Sequence, residues 1–216
     1  VTTFETLQTR AQRLFKRQGD FVEPLSLFYE LPLFVVKELE STMDGAADGS
    51  TIVCSDLIGS DYNGYRVYIM DKDSTYCNEE RLIDQPTDTG VIHVSSPFSG
   101  QILSGIKFWI VGLKLRDTDA HVSDKAIDAR LFNTIQIIVD NDLDQDVSVQ
   151  LKGKRHKDIG GEVDIDSAFT APSGDTTAKG YVASTSCLQP WMWVSVSASV
   201  APTSGMLFVY GLVRNV

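Results

Sequence analysis

Histidine and cysteine are scarce, three of each among 216 residues, and that scarcity excludes several kinds of chemistry. His93, His121 and His156 form no pair at metal-ligand spacing, so no histidine-built metal site is expected. Cys54, Cys77 and Cys187 form no Cys-x-x-Cys pair, and an odd count does not describe a closed disulfide framework. They read as buried thiols from a reducing setting. No apolar run approaches the ~20 residues of a membrane helix, and no secretory-signal pattern is visible. Neither glycine-rich phosphate cradle is present, and no serine sits in G-x-S-x-G. Carboxylate pairs such as Asp71 with Asp73 and Asp164 with Asp166 are too common in an acidic chain to signal glycoside chemistry. The expectation is a protein that is not an enzyme.

Apolar residues make up 43% and charged residues 22%, enough for a core without disulfides or metal. The net charge is -10, which favours solubility and repels nucleic acid and anionic membranes at long range. The charge is uneven. Residues 1–18 hold Arg10, Arg13, Lys16 and Arg17 against Glu5, a net +3, leaving -13 on the rest. This basic face suits nucleic acid or the acidic surface of a neighbouring copy.

Residues 2–18 have a helical period, with Phe4, Leu7, Ala11, Leu14 and Phe15 on one face, a Thr2/Glu5 capping box and a stop at Gly19. Pro32 suits the first turn of a second short helix. Residues 1–44 therefore read as a helical or extended arm, and its apolar residues Phe4, Leu7, Leu14, Phe15, Phe28 and Phe34 are expected to make subunit contacts. The small-residue run 45–50 (GAADGS) is the expected boundary, followed by a β domain over 51–216. Short strands are expected at 51–54, 65–70, 91–94, 106–115, 134–139, 147–151, 180–183, 191–200 and 206–213, with a short helix considered at 120–131. The fold class is mainly β, an antiparallel β-sandwich of jelly-roll kind with an N-terminal helical arm.

The strongest local signals are two expected hairpins, TIQIIV with VSVQL around the loop at 140–146, and WMWVSVSASV with MLFVYGLV around APTSG. In the second, Met192, Val194, Val196, Ala198 and Val200 form the core side. Trp191, Trp193, Ser195, Ser197 and Ser199 form the other. Trp191 and Trp193 line a ligand platform or a subunit contact, or are covered by the arm or a second sheet. Asp140, Asp142 and Asp144 open like a calcium loop, the one cofactor considered. Gln145 stands where that loop needs glycine and Leu151 where it needs glutamate, so a solvated turn is the competing reading. The cluster KGKRHK (152–157) lacks interleaved aromatics, and a salt-bridging surface loop is preferred to a phosphate grip.

The stretch NTIQIIVDNDLDQDVSVQL, with its strand, Asn/Asp-rich turn and V-x-V-x-L return, resembles a pattern in bacteriophage and archaeal virus virion proteins. The tail WMWVSVSASVAPTSGMLFVYGLVRNV is similar to the closing hairpin of such sandwiches. The resemblance implies a capsid, neck or tail-associated component, located in the virion and working as a ring or lattice. Its partners would be further copies and other virion proteins, with nucleic acid contact through the arm and no membrane. Two other readings stay open: a carbohydrate-binding sandwich using Trp191, Trp193 or Tyr210 as stacking platforms, and a glycoside-acting hydrolase.

Overall fold

The structure, a computed structural model, describes residues 29–69, 79–130, 132–157, 160–182, 186 and 188–214. It is mainly β, and every strand pairing among those residues is antiparallel. No helix among them is long and apolar enough to cross a membrane. The described chain opens with β1 (Tyr29–Pro32), then runs through β2 (Val35–Glu40), β3 (Thr51–Val53), β4 (Arg66–Ile69), β5 (Glu80–Leu82), β6 (Val91–His93) and β7 (Lys107–Val111). It continues through β8 (His121–Val122), β9 (Ile127–Asp128), β10 (Thr134–Asn141), β11 (Val147–Lys154), β12 (Val163–Asp164) and β13 (Phe169–Ala171). β14 (Asp175–Val182), β15 (Trp191–Ala198) and β16 (Leu207–Arg214) close it.

These strands form two β bodies with separate cores. In the first, a sheet of order β1-β16-β10-β14 faces a sheet of order β12-β11-β15-β8, with β13 beside β11 and β9 beside β15. Period-two alternation drives the pairing. Ile135, Ile137 and Val139 of β10 and Leu207, Val209 and Val213 of β16 bury one face. Val147, Val149 and Leu151 of β11 meet them with Met192, Val194 and Val196 of β15. The second body joins the sheet β2-β7-β4-β5 to the pair β3-β6 around Ile52, Val67, Ile69, Ile92, Phe108 and Ile110.

The chain enters and leaves the second body side by side. Val35 pairs with Val111, and the Gly112 N–H donates to the Phe34 carbonyl at 3.1 Å. Leu113 and Leu207 exchange backbone hydrogen bonds. Gly112 has φ +130°, and a Cβ there would stand 2.9 Å from the Phe208 ring. Glycine is required at this crossing by both conformation and space.

Several expectations about the fold are corrected. The two hairpins are arches: β10 pairs with β14 and β16, not with β11, and β15 pairs with β11, not with β16. Alternation reports which face is buried, and two strands in facing sheets satisfy it as well as two neighbours do. The run at 45–50 is packed backbone inside the second body, not a linker. Gly45 N donates to the Ile102 carbonyl at 2.8 Å and Phe98 N to the Gly49 carbonyl at 3.0 Å. The segment after Pro32 is strand β2, whose alternate residues are exposed, not a short helix. Residues 120–131 likewise contain β8 and β9. The expected helix at 2–18 lies outside the described residues, with Phe4, Leu7, Leu14, Phe15, Phe28, Arg10, Arg13, Lys16 and Arg17. Phe34 is described, and it is a buried member of the first core and not a free arm contact. Val200 is exposed beyond the end of β15 instead of continuing its core face.

One core residue carries a polar liability. Tyr181 of β14 is fully buried, and its hydroxyl has no hydrogen-bond partner among the described residues. Burial pushes that phenol up to about 12. Tyr181→Phe removes the desolvated oxygen and keeps the ring. It is expected to leave the urea midpoint unchanged or raise stability by up to about 1 kcal/mol. A clear loss on substitution would reveal a partner for the hydroxyl.

Candidate interaction face

The outward side of β15 presents Trp191, Trp193 and Ser197, with Ser195 on the same side but covered. Alternation places Met192, Val194 and Val196 inward, which fixes both indoles on the outer face, as the sequence indicates. Both rings are half-buried. Cations cover them. Arg130 stands 4.6 Å and Lys157 5.5 Å from the Trp191 ring centre, and Lys154 stands 5.3 Å from that of Trp193. Each such contact is worth about 0.5–1 kcal/mol at an exposed site. Asp128, itself buried, holds Arg130 through two bonds, Nε to Oδ1 at 2.8 Å and Nη2 to Oδ2 at 2.6 Å. β11 lies alongside, its Lys154 opposite Trp191 and its Lys152 opposite Trp193. Lys154 pairs with Glu162 at 3.2 Å and Lys152 approaches Asp164 at 3.9 Å. The KGKRHK run is therefore partly salt-bridged, and it gains from the next strand the aromatics it lacks in sequence.

The opposite end of the long strands is acidic. Three arches meet there: 142–146 between β10 and β11, 172–174 between β13 and β14, and 199–206 between β15 and β16. Asn141, fully buried, ties two of them together. Its Nδ2 donates to the carbonyls of Gln145 at 3.1 Å, Ala171 at 3.0 Å and Pro172 at 3.1 Å, and its Oδ1 accepts from Leu143 N at 3.1 Å. Asp144 accepts from Thr203 N at 2.9 Å and Thr203 Oγ1 at 2.5 Å, and Asp146 accepts from Ser173 N at 2.9 Å. Asp140 faces away toward Arg66 and Thr176. The calcium expectation at Asp140, Asp142 and Asp144 finds no support in this geometry. Asp140 and Asp144 bind separate donors of the chain. Among the described residues no three His, Cys, Asp or Glu side chains gather as a metal site.

Acid should loosen the fold at several places, the Asp144 cap of this end among them. Hydrogen bonds from Ser50, His121, Thr203 and Ser167 hold Asp48, Asp117, Asp144 and Asp166, respectively, below the usual carboxylate range. A folded pKa lowered in this way contributes stability that is present above the unfolded value near ~3.9. That contribution is lost as pH falls through the lower folded value. The urea midpoint is expected to be flat from neutral pH to about 5 and to drop below about 4. A midpoint unchanged across that interval would show that these caps contribute nothing.

A second constellation spans the two bodies. The Arg66 guanidinium of β4 lies 3.9 Å over the Phe208 ring of β16. It also meets Asp140 at 2.5 Å, Glu80 at 3.2 Å and the Tyr210 hydroxyl at 3.1 Å. Tyr210 donates to Glu80 at 2.5 Å. Burial works against the Arg66 charge, but Tyr210, Asp140 and Glu80 together raise its pKa. Burial, with Glu80 behind it, pushes the Tyr210 phenol up as well. Tyr210 is buried, so the expectation that it is a sugar-stacking platform is corrected. On the other flank Lys125 pairs with Glu38 and sits 4.7 Å from the Trp109 ring. Among the described residues the one His–Asp contact, His121 Nε2 to Asp117 Oδ1 at 2.8 Å, is on the surface, and Ser123 Oγ donates elsewhere, to the Lys125 carbonyl. Cys54 is a buried free thiol, and burial raises its pKa. Sequence reasoning missed Arg66, Glu80 and Arg130, because each acts on a residue distant along the chain or unremarkable in composition.

The chain matches no protein-family model, no curated protein and no solved structure.

Proposed function

We propose that this protein is a non-enzymatic structural component of a virion, a jelly-roll-like sandwich that assembles in several copies as a ring or lattice. One observation carries the reading. The Arg66 constellation commits its part-buried polar groups to clamping two β bodies together, Arg66 and Glu80 of one against Asp140 and Tyr210 of the other. The product of such a design is a double body whose value lies in its outer surfaces. Residues 1–28, with their apolar and basic side chains, add subunit contacts and a contact to nucleic acid. The second reading is a carbohydrate-binding module, favoured by the half-buried Trp191 and Trp193 side by side on one face of β15.

The test is the native mass of the full chain beside a chain lacking residues 1–28. The truncation stops there because β1 and β2 are sheet strands whose removal would open both bodies. The expected result is a multimer for the full chain and a smaller, folded species for the truncation. A monomeric full chain that binds a glycan array, with binding abolished in Trp191→Ala, would move the assignment to the carbohydrate reading.

A further inference from the structure

The two ends of the first body differ in chemistry, and the strand register separates them. β15 runs from Trp191 at one end to Ala198 at the arches, seven steps of ~3.3 Å or roughly 23 Å. β11 runs the other way, from Val147 at the arches to Lys154. One end thus gathers Trp191, Trp193, Arg130, Lys154, Arg155 and Lys157. The other gathers Asp142, Asp144, Asp146 and Asp175, all exposed, against Arg116, which donates to the Gly205 carbonyl at 2.8 Å. Asp140 is neutralised by Arg66 and does not count. At the aromatic end Arg130 and Lys154 are balanced by Asp128 and Glu162, while Arg155 and Lys157 are exposed.

We infer that the Trp191/Trp193 end of one copy docks head to tail on the acidic arch end of a second copy. Resting on the assembly reading above, it names the surfaces that assembly uses. Charge complementarity selects the occupant. The exposed Arg155 and Lys157 of one end find their local complement in the exposed Asp142, Asp144, Asp146 and Asp175 of the other end of the same molecule. The composition fits an interface anchor, since tryptophan and arginine dominate binding energy where they are desolvated together. The two patches are different surfaces, so the contact is heterologous. It generates a ring where the rotation closes and a filament where it does not.

The experiment is sedimentation velocity and light scattering on the full chain at low and raised salt. The wild type is expected to associate, with affinity falling as salt rises. Trp191→Ala with Trp193→Ala is expected to weaken association at least about tenfold. The decisive arm uses exposed charges that leave the core untouched. Arg155→Glu with Lys157→Glu makes both ends acidic, and Asp142→Lys with Asp175→Lys makes both ends basic. Each charge-reversed chain alone is expected to be dissociated, and the equimolar mixture to associate again. Association unchanged in the tryptophan double variant, or no recovery in the mixture, overturns this interface while leaving assembly through the arm intact. A wild type monomeric at every concentration overturns both the interface and the assembly reading. Wild-type binding to single-stranded homopolymer that the tryptophan variant loses, with association unaltered, overturns it in favour of a nucleic-acid surface.

Discussion

Arg66→Ala is expected to destabilise the protein by about 2–4 kcal/mol, measured by urea unfolding at neutral pH. The guanidinium stands between Glu80 and Asp140, and its side chain and both carboxylates are only about a quarter exposed. Removing it leaves two partly desolvated anions with no cation between them, and strips the cation from the face of Phe208. Losing one partner of such a set costs more than the set contributes, because the survivors stay charged in a poor solvent. Arg66→Lys should fall between, since an ammonium is a point donor and cannot serve Asp140, Glu80 and Tyr210 from one plane. The shape of the transition matters as much as its midpoint. Arg66 belongs to β4 of the second body, while Asp140, Phe208 and Tyr210 belong to the first. The wild type is expected to unfold in one step, and Arg66→Ala in a broader or two-step transition with a lower apparent m-value. A one-step transition within ~0.5 kcal/mol of wild type would show that the crossings at Phe34 and Gly112 couple the bodies unaided.

The same residues show where sequence reading stops. The long strands β10, β11, β15 and β16 were legible because alternating positions, as in TIQIIVDN and WMWVSVSA, leave one interpretation for each face, whereas β14 (Asp175–Val182) was read only from 180. β5, β12 and β13 have two or three residues each and no period to read. Partner choice was illegible. An arch and a hairpin place the same residues inward, and only the tertiary register shows β10 beside β16 and β11 beside β15. The small residues at 45–50 looked like a linker, yet Gly49 has φ +76° and a Cβ on it would lie 2.8 Å from the Phe98 carbonyl. Close backbone packing and flexibility select the same residue type. At the candidate face the indoles were visible in the sequence and their cations were not. Arg130 reaches Trp191 through the pairing of β9 with β15, a contact that no local spacing encodes.

Asn141→Asp is expected to be the most damaging single-atom-scale change in the first body, worse than Asn141→Ala. Asn141 is buried at the end of β10, and its amide nitrogen donates to three carbonyls from two arches. Alanine leaves those carbonyls and the Leu143 N–H without their partner, at about 1–3 kcal/mol for each group that water cannot reach, so a total of about 3 kcal/mol is expected. Aspartate keeps the acceptor for Leu143 but turns an oxygen toward the Gln145, Ala171 and Pro172 carbonyls, where only a donor fits. An ionised carboxylate there is desolvated and meets three negative dipole ends, so its folded pKa must rise above the ordinary ~3.9. The sign of the pH dependence follows. A carboxyl whose folded pKa is raised is least harmful when protonated, so the penalty of Asn141→Asp relative to Asn141→Ala should shrink as pH falls from 7 toward the raised pKa. Over that interval the Asp144 cap, which its hydrogen bond from Thr203 holds below the usual carboxylate range, stays ionised, which keeps the comparison clean. Urea midpoints for the three proteins at pH 7 and about 5 provide the measurement. An Asn141→Asp protein as stable as wild type at pH 7 would mean that the arches are held by the Asp144–Thr203 and Asp146–Ser173 contacts alone.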